Sequence, residues 1–269
     1  MNMTEDEKYL FDLTGYLVLK DVLSPMDLAR CNEAIDHHLE RTTVANPEEV
    51  LSAESKTLAG PGKQHYLDHM LQWERPWCEP FRELLLNPRI VSCLDVILRK
   101  EYRLDAGPML VLADDGAEGL VLHGGGVESS PSMSYFYQHE KFYCGMTVVE
   151  VMLADEGPGD GGLALIPGSH KANFPCPRPL KLADKYASNI LEVNVKAGDA
   201  VIFLETTVHG TLPWKGKQSR RALLHRYTPG YMNYHDMKYD LTPQDFLMDM
   251  TPEQRAMLEP PNHRKQRES

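Results

Sequence analysis

The apolar residues of the first hundred positions follow a helical spacing in several stretches. Leu28, Cys31 and Ile35 recur every three to four residues, which places one face of a helix inward. Ser24 and Pro25 precede them in the order typical of an N-cap and a first helical position. The pattern therefore predicts a helix that begins at Pro25.

The same region contains other short elements. Tyr16–Leu19 has the alternation of a strand, and residues 80–86 and 88–99 have helical patterns. Residues 43–64 show little periodicity and end in "AGPGK", which predicts a loop that we expect to close over a pocket. Residues 1–100 are thus predicted to form a helical N-terminal layer.

From Arg103 onward, short apolar runs alternate with glycine and proline, as in "GLVLHGGG" and "YCGMTVVEVMLADEGPGDGGLALIPGSH". Runs of this length bounded by turn residues predict an antiparallel sandwich or jelly roll. We expect one domain over residues 1–269, mainly β with flanking helices, with a jelly-roll core over 101–232 and a C-terminal extension over 233–269.

Composition narrows the class of protein. Of 269 residues, 42% are hydrophobic and 25% charged, which is typical of a folded globular chain. The net charge of −11 disfavours nucleic-acid polymers and anionic lipid as partners. The sequence contains neither a long apolar run nor an N-terminal signal pattern, so we expect a cytoplasmic protein without a membrane partner. The five cysteines have no metal-binding spacing and are expected to be free thiols.

Two histidines end apolar runs and are candidates for a metal site. His123 follows "GLVL" and His209 follows "AVIFLETTV". Strand ends at the mouth of a jelly roll can converge on one point, although for either histidine alone a structural role is the more common one. Gly125 stands two residues after His123, where a carboxylate ligand would be expected.

Two adjacent arginines are candidates for binding a diacid. Arg220 lies 11 residues after His209 (220 minus 209) at the start of the next predicted strand. An inward-facing guanidinium could hold a dicarboxylic acid through a two-pronged contact. Arg221 is the competing candidate, because adjacent strand residues face opposite ways and only one of the two can point inward.

The order of the blocks "LHGG", "DEGPGDGGLALIPGSHKANFP", "KAGDAVIFLETTVHGTLPW" and "RRALLHRY" resembles the phytanoyl-CoA dioxygenase family of non-haem iron, 2-oxoglutarate-dependent oxygenases over residues 11–230. The resemblance implies a cupin-like double-stranded β-helix. It also implies Fe(II) held by a His-x-Asp/Glu pair and a distal histidine, and an arginine for 2-oxoglutarate. His123, His209 and Arg220 match these positions. Tyr135, Gln138 and Arg221 are further candidates for cofactor binding.

Gly125 departs from the usual His-x-Asp pattern of that family. One interpretation is that a halide occupies the position, as in the iron halogenases, with chloride as a further cofactor. A second is water, which gives a weakly metal-binding hydroxylase or a degenerate relative. A third is another acid, with Glu128 the first candidate and Glu140, Glu150 and Glu205 less constrained ones.

The function predicted from these features is oxidation of an unactivated C–H bond in a small metabolite. The reaction uses O2 as a partner and ends in hydroxylation or halogenation. The alternative is a catalytically degenerate, metal-poor binding protein with the same fold. Retention of both histidines and Arg220 favours the enzyme, because a binding protein has no chemical need for them.

Overall fold

The structure, a computed structural model, describes residues 2–42, 49–126, 133–185, 187–233 and 245–261. The loop prediction for residues 43–64 and the extension prediction for 233–269 therefore fall partly outside the described residues.

The strands in chain order are β1 Tyr16–Leu19, β2 Gln64–Leu67, β3 Tyr102–Ala113, β4 Tyr135–Gln138, β5 Lys141–Cys144, β6 Thr147–Met152, β7 Gly162–Leu165, β8 Leu191–Glu192, β9 Ala200–Leu204, β10 His209–Leu212 and β11 Arg220–Pro229. One sheet has the order β1-β9-β6-β11-β3-β2, a second has the order β10-β7-β8, and β4 and β5 form a separate hairpin. All of the pairings are antiparallel.

The two larger sheets pack face to face. Val148 and Phe203 of the six-stranded sheet share a buried apolar cluster with Leu163 and Leu165 of the three-stranded sheet. Such packing of two antiparallel sheets is the arrangement of a jelly-roll double-stranded β-helix. The predicted fold class, mainly β with flanking helices, is confirmed.

The helices are α1 Glu5–Thr14, α2 Pro25–Leu39, α3 Glu79–Leu84, α4 Pro88–Ile97, α5 Arg178–Lys181 and α6 Pro252–Ala256. The prediction for α2 is confirmed, because Ser24 caps it by accepting a hydrogen bond from the Asp27 amide at 3.2 Å. None of the described helices has the length and apolar content that crossing a bilayer requires.

The N-terminal hundred residues are more than a helical layer. The predicted strand β1 is present and pairs with β9, and β2 pairs with β3, so both edges of the large sheet come from this region. The sequence pattern missed β2 because Gln64 and His65, both polar, occupy half of its four positions. A division at residue 100 therefore does not separate helices from sheet.

Candidate metal centre

His123 and His209 face each other across a short antiparallel bridge. The amide of His123 donates to the carbonyl of His209 at 2.8 Å, and the amide of His209 donates back at 2.9 Å. Their ring centroids lie 4.2 Å apart. The two backbone hydrogen bonds fix both imidazoles at the same end of the cavity between the sheets.

Glu205 supplies a carboxylate to this pair. It is the first residue after β9, and the turn through Thr206 and Thr207 leads from it into β10. Its Oε1 lies 3.7 Å from His123 Nε2, and its Oε2 lies 3.8 Å from His209 Nε2. Ligand atoms of the three residues all lie within 4.8 Å of one another, and this is the single group of its kind found in the described part of the chain.

Gly124 and Gly125 bring the His123 segment against the turn that carries Glu205. Gly124 has φ +87°, and a Cβ there would lie 2.7 Å from the Glu205 carbonyl oxygen. Gly125 has φ +131°, and its amide donates to the Thr206 carbonyl at 2.9 Å. Both backbones lie in the left-handed region that favours glycine. The glycine at 125 thus permits this backbone conformation, and the nearby carboxylate comes from the turn after β9.

The hydrogen bonds of the two imidazoles fix their tautomers. His209 Nδ1 lies 2.6 Å from the Thr207 carbonyl and His123 Nδ1 lies 3.3 Å from the Val121 carbonyl. Because a carbonyl only accepts, each Nδ1 carries the hydrogen and each Nε2 presents a lone pair toward Glu205. Burial, followed by the proximity of His123, lowers the pKa of His209 well below its usual value. His209 is therefore held neutral, the form that binds metal.

This donor set fits a divalent cation. Two neutral imidazole nitrogens and one carboxylate are the set that holds non-haem iron while leaving coordination positions open. The orientation of each ring by a backbone carbonyl is the support that metal-binding histidines ordinarily have. Of the acids considered for this position, Glu128 lies outside the described residues, and Glu140 is exposed on the β4–β5 turn.

Arg220 faces the cavity and is 1% exposed. Its Nη2 donates to Glu150 Oε1 at 2.6 Å. Its Nε lies 2.8 Å from Glu156 Oε1, but the angle is not that of a hydrogen bond, and Nη1 has no partner. Burial, with a further contribution from Glu150, raises the pKa of Glu156 to about 7 against the lowering effect of Arg220. Arg220 thus keeps one donor for another acceptor, although two acids already surround it.

Arg221 points away from the cavity. Its guanidinium donates to Asn32 Oδ1 at 2.9 Å and to Asp36 Oδ1 at 2.5 Å, both on α2. The prediction that only one of the two arginines faces inward is confirmed. The candidate role of Arg221 in cofactor binding is wrong, because its side chain lies on the opposite face of β11.

Tyr135 and Gln138 do not line the cavity either. The Tyr135 hydroxyl donates to the Asp12 carboxylate, and Tyr135 packs edge-on against His170. Gln138 is exposed at the end of β4. The prediction that Tyr135 and Gln138 bind a cofactor is therefore corrected. Both residues lie on the separate β4–β5 hairpin, and neither side chain lines the cavity between the two larger sheets.

The cavity has a volume of about 300 Å³ and a mostly apolar wall. Five residues already described line it: His123, Glu150, Glu205, His209 and Arg220. The rest of its lining comprises Gln64, Tyr66, Met109, Val111, Leu120, Val148, Leu163, Phe203, Gly210, Thr211, Leu224 and Arg226. Glu156, Tyr66 and Arg226 were not among the site residues predicted from the sequence. The alternation of Arg220, Leu224 and Arg226 along one strand face was an available signal for the last of these.

The geometry therefore defines a jelly-roll protein with a candidate two-histidine, one-carboxylate metal centre. The family model described as phytanoyl-CoA dioxygenase (PhyH) matches residues 11–222, and the chain belongs to this family. A search of curated proteins finds no match to the sequence.

Solved structures share the fold. HygX from Streptomyces hygroscopicus with nickel and 2-oxoglutarate bound has 24% identity and a TM-score of 0.71, covering 92% of this chain and 99% of its own. HygX with nickel, 2-oxoglutarate and hygromycin B bound has 24% identity and a TM-score of 0.69, covering 86% and 89%. The non-heme alpha ketoglutarate dependent carbocyclase SnoK from nogalamycin biosynthesis has 18% identity and a TM-score of 0.64, covering 93% and 92%.

Proposed function

We propose that this protein is an Fe(II)- and 2-oxoglutarate-dependent oxygenase in which His123, Glu205 and His209 hold the metal. The convergence of two Nε2 atoms on one carboxylate is the observation that carries the proposal. In this interpretation Glu205 replaces the carboxylate that the family pattern puts two residues after the first histidine. The family match and the HygX structures with iron or with nickel and 2-oxoglutarate support it.

Arg220 and the apolar wall of the cavity have separate roles in this proposal. Arg220 Nη1, a buried donor without a partner, would bind the far carboxylate of 2-oxoglutarate. The apolar wall formed by residues such as Met109, Val148 and Phe203 excludes water from the reacting C–H bond. Iron and 2-oxoglutarate, when bound, supply with O2 the oxidising power to remove a hydrogen atom from the substrate.

The proposed substrate is a small metabolite, and the outcome is oxidation without halide transfer. A halide would need the coordination position that the missing carboxylate leaves open, and Glu205 supplies a carboxylate there. The related folds include a carbocyclase and, in SnoN, an epimerase. Hydrogen removal from carbon is accordingly the shared step that we propose, and the placement of the substrate in the cavity decides which product forms.

One observation favours a second candidate, a metal-poor binding protein. Arg220 already pairs with Glu150 and contacts Glu156, so its positive charge is compensated before any diacid enters. In that case the cavity would bind a small molecule, and the histidines and Glu205 would serve as a polar cluster.

The test is an anaerobic titration with Fe(II) and 2-oxoglutarate, monitored through the visible metal-to-ligand charge-transfer band. We expect the band in the wild type and its loss in Glu205→Ala. The control Glu33→Ala changes an exposed acid of α2 and should retain the band. A wild type without any band contradicts the oxygenase and favours the binding protein. A band that shifts with chloride would favour a halogenase.

A further inference from the structure

Arg226 lines the same cavity as Arg220 and lies toward the metal centre. It pairs across the sheet with Val148 of β6, which in turn pairs with Phe203, two residues before Glu205. Arg220 lies six residues earlier on the same strand, a separation of about 20 Å along the backbone.

Strand alternation places the Arg226 side chain. β11 keeps an unbroken register with β6 from Ala222 to Tyr227. The register shifts between β11 and β3 on either side of Arg226 come from extra residues in β3, between Met109 and Leu104. Arg226 therefore lies on the same strand face as Arg220 and Leu224, and all three line the cavity.

The guanidinium of Arg226 has no directly paired acid among the described residues. It forms no ion pair and no side-chain hydrogen bond there, whereas Arg220 pairs with two acids and Arg221 with Asp36. The hydroxyl of Tyr66, which faces the same cavity, also has no hydrogen-bond partner in the described chain. A partly buried guanidinium without a counter-charge is costly unless a ligand supplies one.

We propose that Arg226 binds a carboxylate of the primary substrate beside the metal centre. The inference rests on the proposed function and adds a substrate class to it, a small organic acid. A planar guanidinium can bind a carboxylate through two parallel hydrogen bonds, which would fix the orientation of the substrate as well as its affinity. Because 2-oxoglutarate is also a carboxylic acid, the experiment separates the two sources of that group.

The first arm measures the dissociation constant of 2-oxoglutarate in the Ni(II)-loaded protein by calorimetry. Arg226→Gln should retain the wild-type affinity for 2-oxoglutarate within about threefold, because Arg226 is proposed to bind the substrate and not the co-substrate. A threefold change is well below the tenfold step that corresponds to about 1.4 kcal/mol. Arg178→Gln, which removes an exposed arginine paired with Glu54, is the matched control. A loss of tenfold or more in Arg226→Gln alone would assign this arginine to the co-substrate and overturn the proposal.

The second arm uses butyrate, hexanoate and benzoate as probes, each paired with its primary amide. Binding is measured as a thermal shift of the protein loaded with Ni(II) and 2-oxoglutarate. At least one acid should bind the wild type about tenfold more tightly than its amide, and Arg226→Gln should remove that preference while Arg178→Gln retains it. Equal binding of acids and amides, a preference that survives in Arg226→Gln, or failure of every acid to bind the wild type overturns the proposal.

The failure of this inference and the failure of the proposed function give different results. If 2-oxoglutarate does not bind the wild type, the oxygenase proposal fails, and the probes are repeated with the Ni(II)-loaded or metal-free protein. A preference for acids that depends on Arg226 then still supports an acid-binding cavity. If 2-oxoglutarate binds and the preference is absent, only the assignment of Arg226 fails.

Discussion

His123 and Glu205 are separated by 82 positions (205 minus 123), yet His123 Nε2 lies 3.7 Å from Glu205 Oε1. The contact is made possible by Gly124, whose missing Cβ lets its backbone lie against that of residues 205–207. A carboxylate from the turn after β9 therefore lies within 4 Å of the Nε2 atoms of both His123 and His209. In the proposed metal centre this carboxylate would supply the negative charge that residue 125, a glycine, lacks.

Gly125→Asp should not increase metal affinity, because Glu205 already provides the carboxylate of the proposed site. The substitution should lower the free energy of unfolding by ~1–3 kcal/mol, since a non-glycine residue is strained in this backbone region. The Cβ itself has room, with Val208 Cγ2 at 3.8 Å. The measurements are urea denaturation and an Fe(II) titration.

Gly125→Ala is the control for that variant, because it introduces the same backbone strain without a charge. Both variants should lose similar stability and neither should gain metal affinity. Tighter Fe(II) binding in Gly125→Asp alone would mean that the carboxylate position is open in solution.

Arg220→Gln should destabilise the fold strongly. The substitution leaves the nearly fully buried carboxylate of Glu150 without its counter-charge, and that of Glu156 as well above its raised pKa. Removing one partner of a buried ion pair costs about 3–5 kcal/mol. Arg221→Gln removes a partly exposed pair with Asp36 and should cost at most about 1 kcal/mol. Urea denaturation compares the two, and equal stability of Arg220→Gln and wild type would show that the buried pairs do not form.

Glu156 should make stability fall as the pH rises. Burial raises its pKa from the usual 4.5 to about 7. Between these values the folded protein holds a proton that the unfolded chain releases, so the folded state loses stability with increasing pH. The loss continues through the folded-state pKa and is complete about one pH unit above it.

Glu156→Gln removes this contribution. The free energy of unfolding of the variant, relative to wild type, should therefore increase from pH 5 to pH 7.5 in urea denaturation. Taking the difference between the two proteins cancels the titration of the other acids. A difference that is constant across this range would contradict the raised pKa.

Much of the fold was predictable from local patterns. The spacing of apolar residues and the order Ser24-Pro25 predicted α2, and the glycine-bounded runs predicted an antiparallel jelly roll. These signals are local, because they depend on the residue itself and on its near neighbours in sequence. β2 was missed because its residues become a strand only by pairing with β3.

The site was predictable only in part. His123 and His209 end apolar runs, which is visible in sequence, and Arg220 has an inward-facing position that strand alternation narrows to one of two residues. Glu205 was one weak candidate among several acids, because its approach to His123 depends on the packing of two distant segments. The ion pairs of Arg220 and the separation of Tyr135 from the cavity likewise depend on sheet pairing that sequence spacing does not specify.

The most direct test of the central claim is a crystal structure of the protein soaked with Ni(II), with the metal located by anomalous scattering. The account predicts one metal bound by His123 Nε2, His209 Nε2 and a Glu205 oxygen, at the ~2.0–2.2 Å typical of nitrogen and carboxylate ligands. A metal bound by the two histidines with both Glu205 oxygens beyond about 3 Å, outside that coordination range, would contradict it.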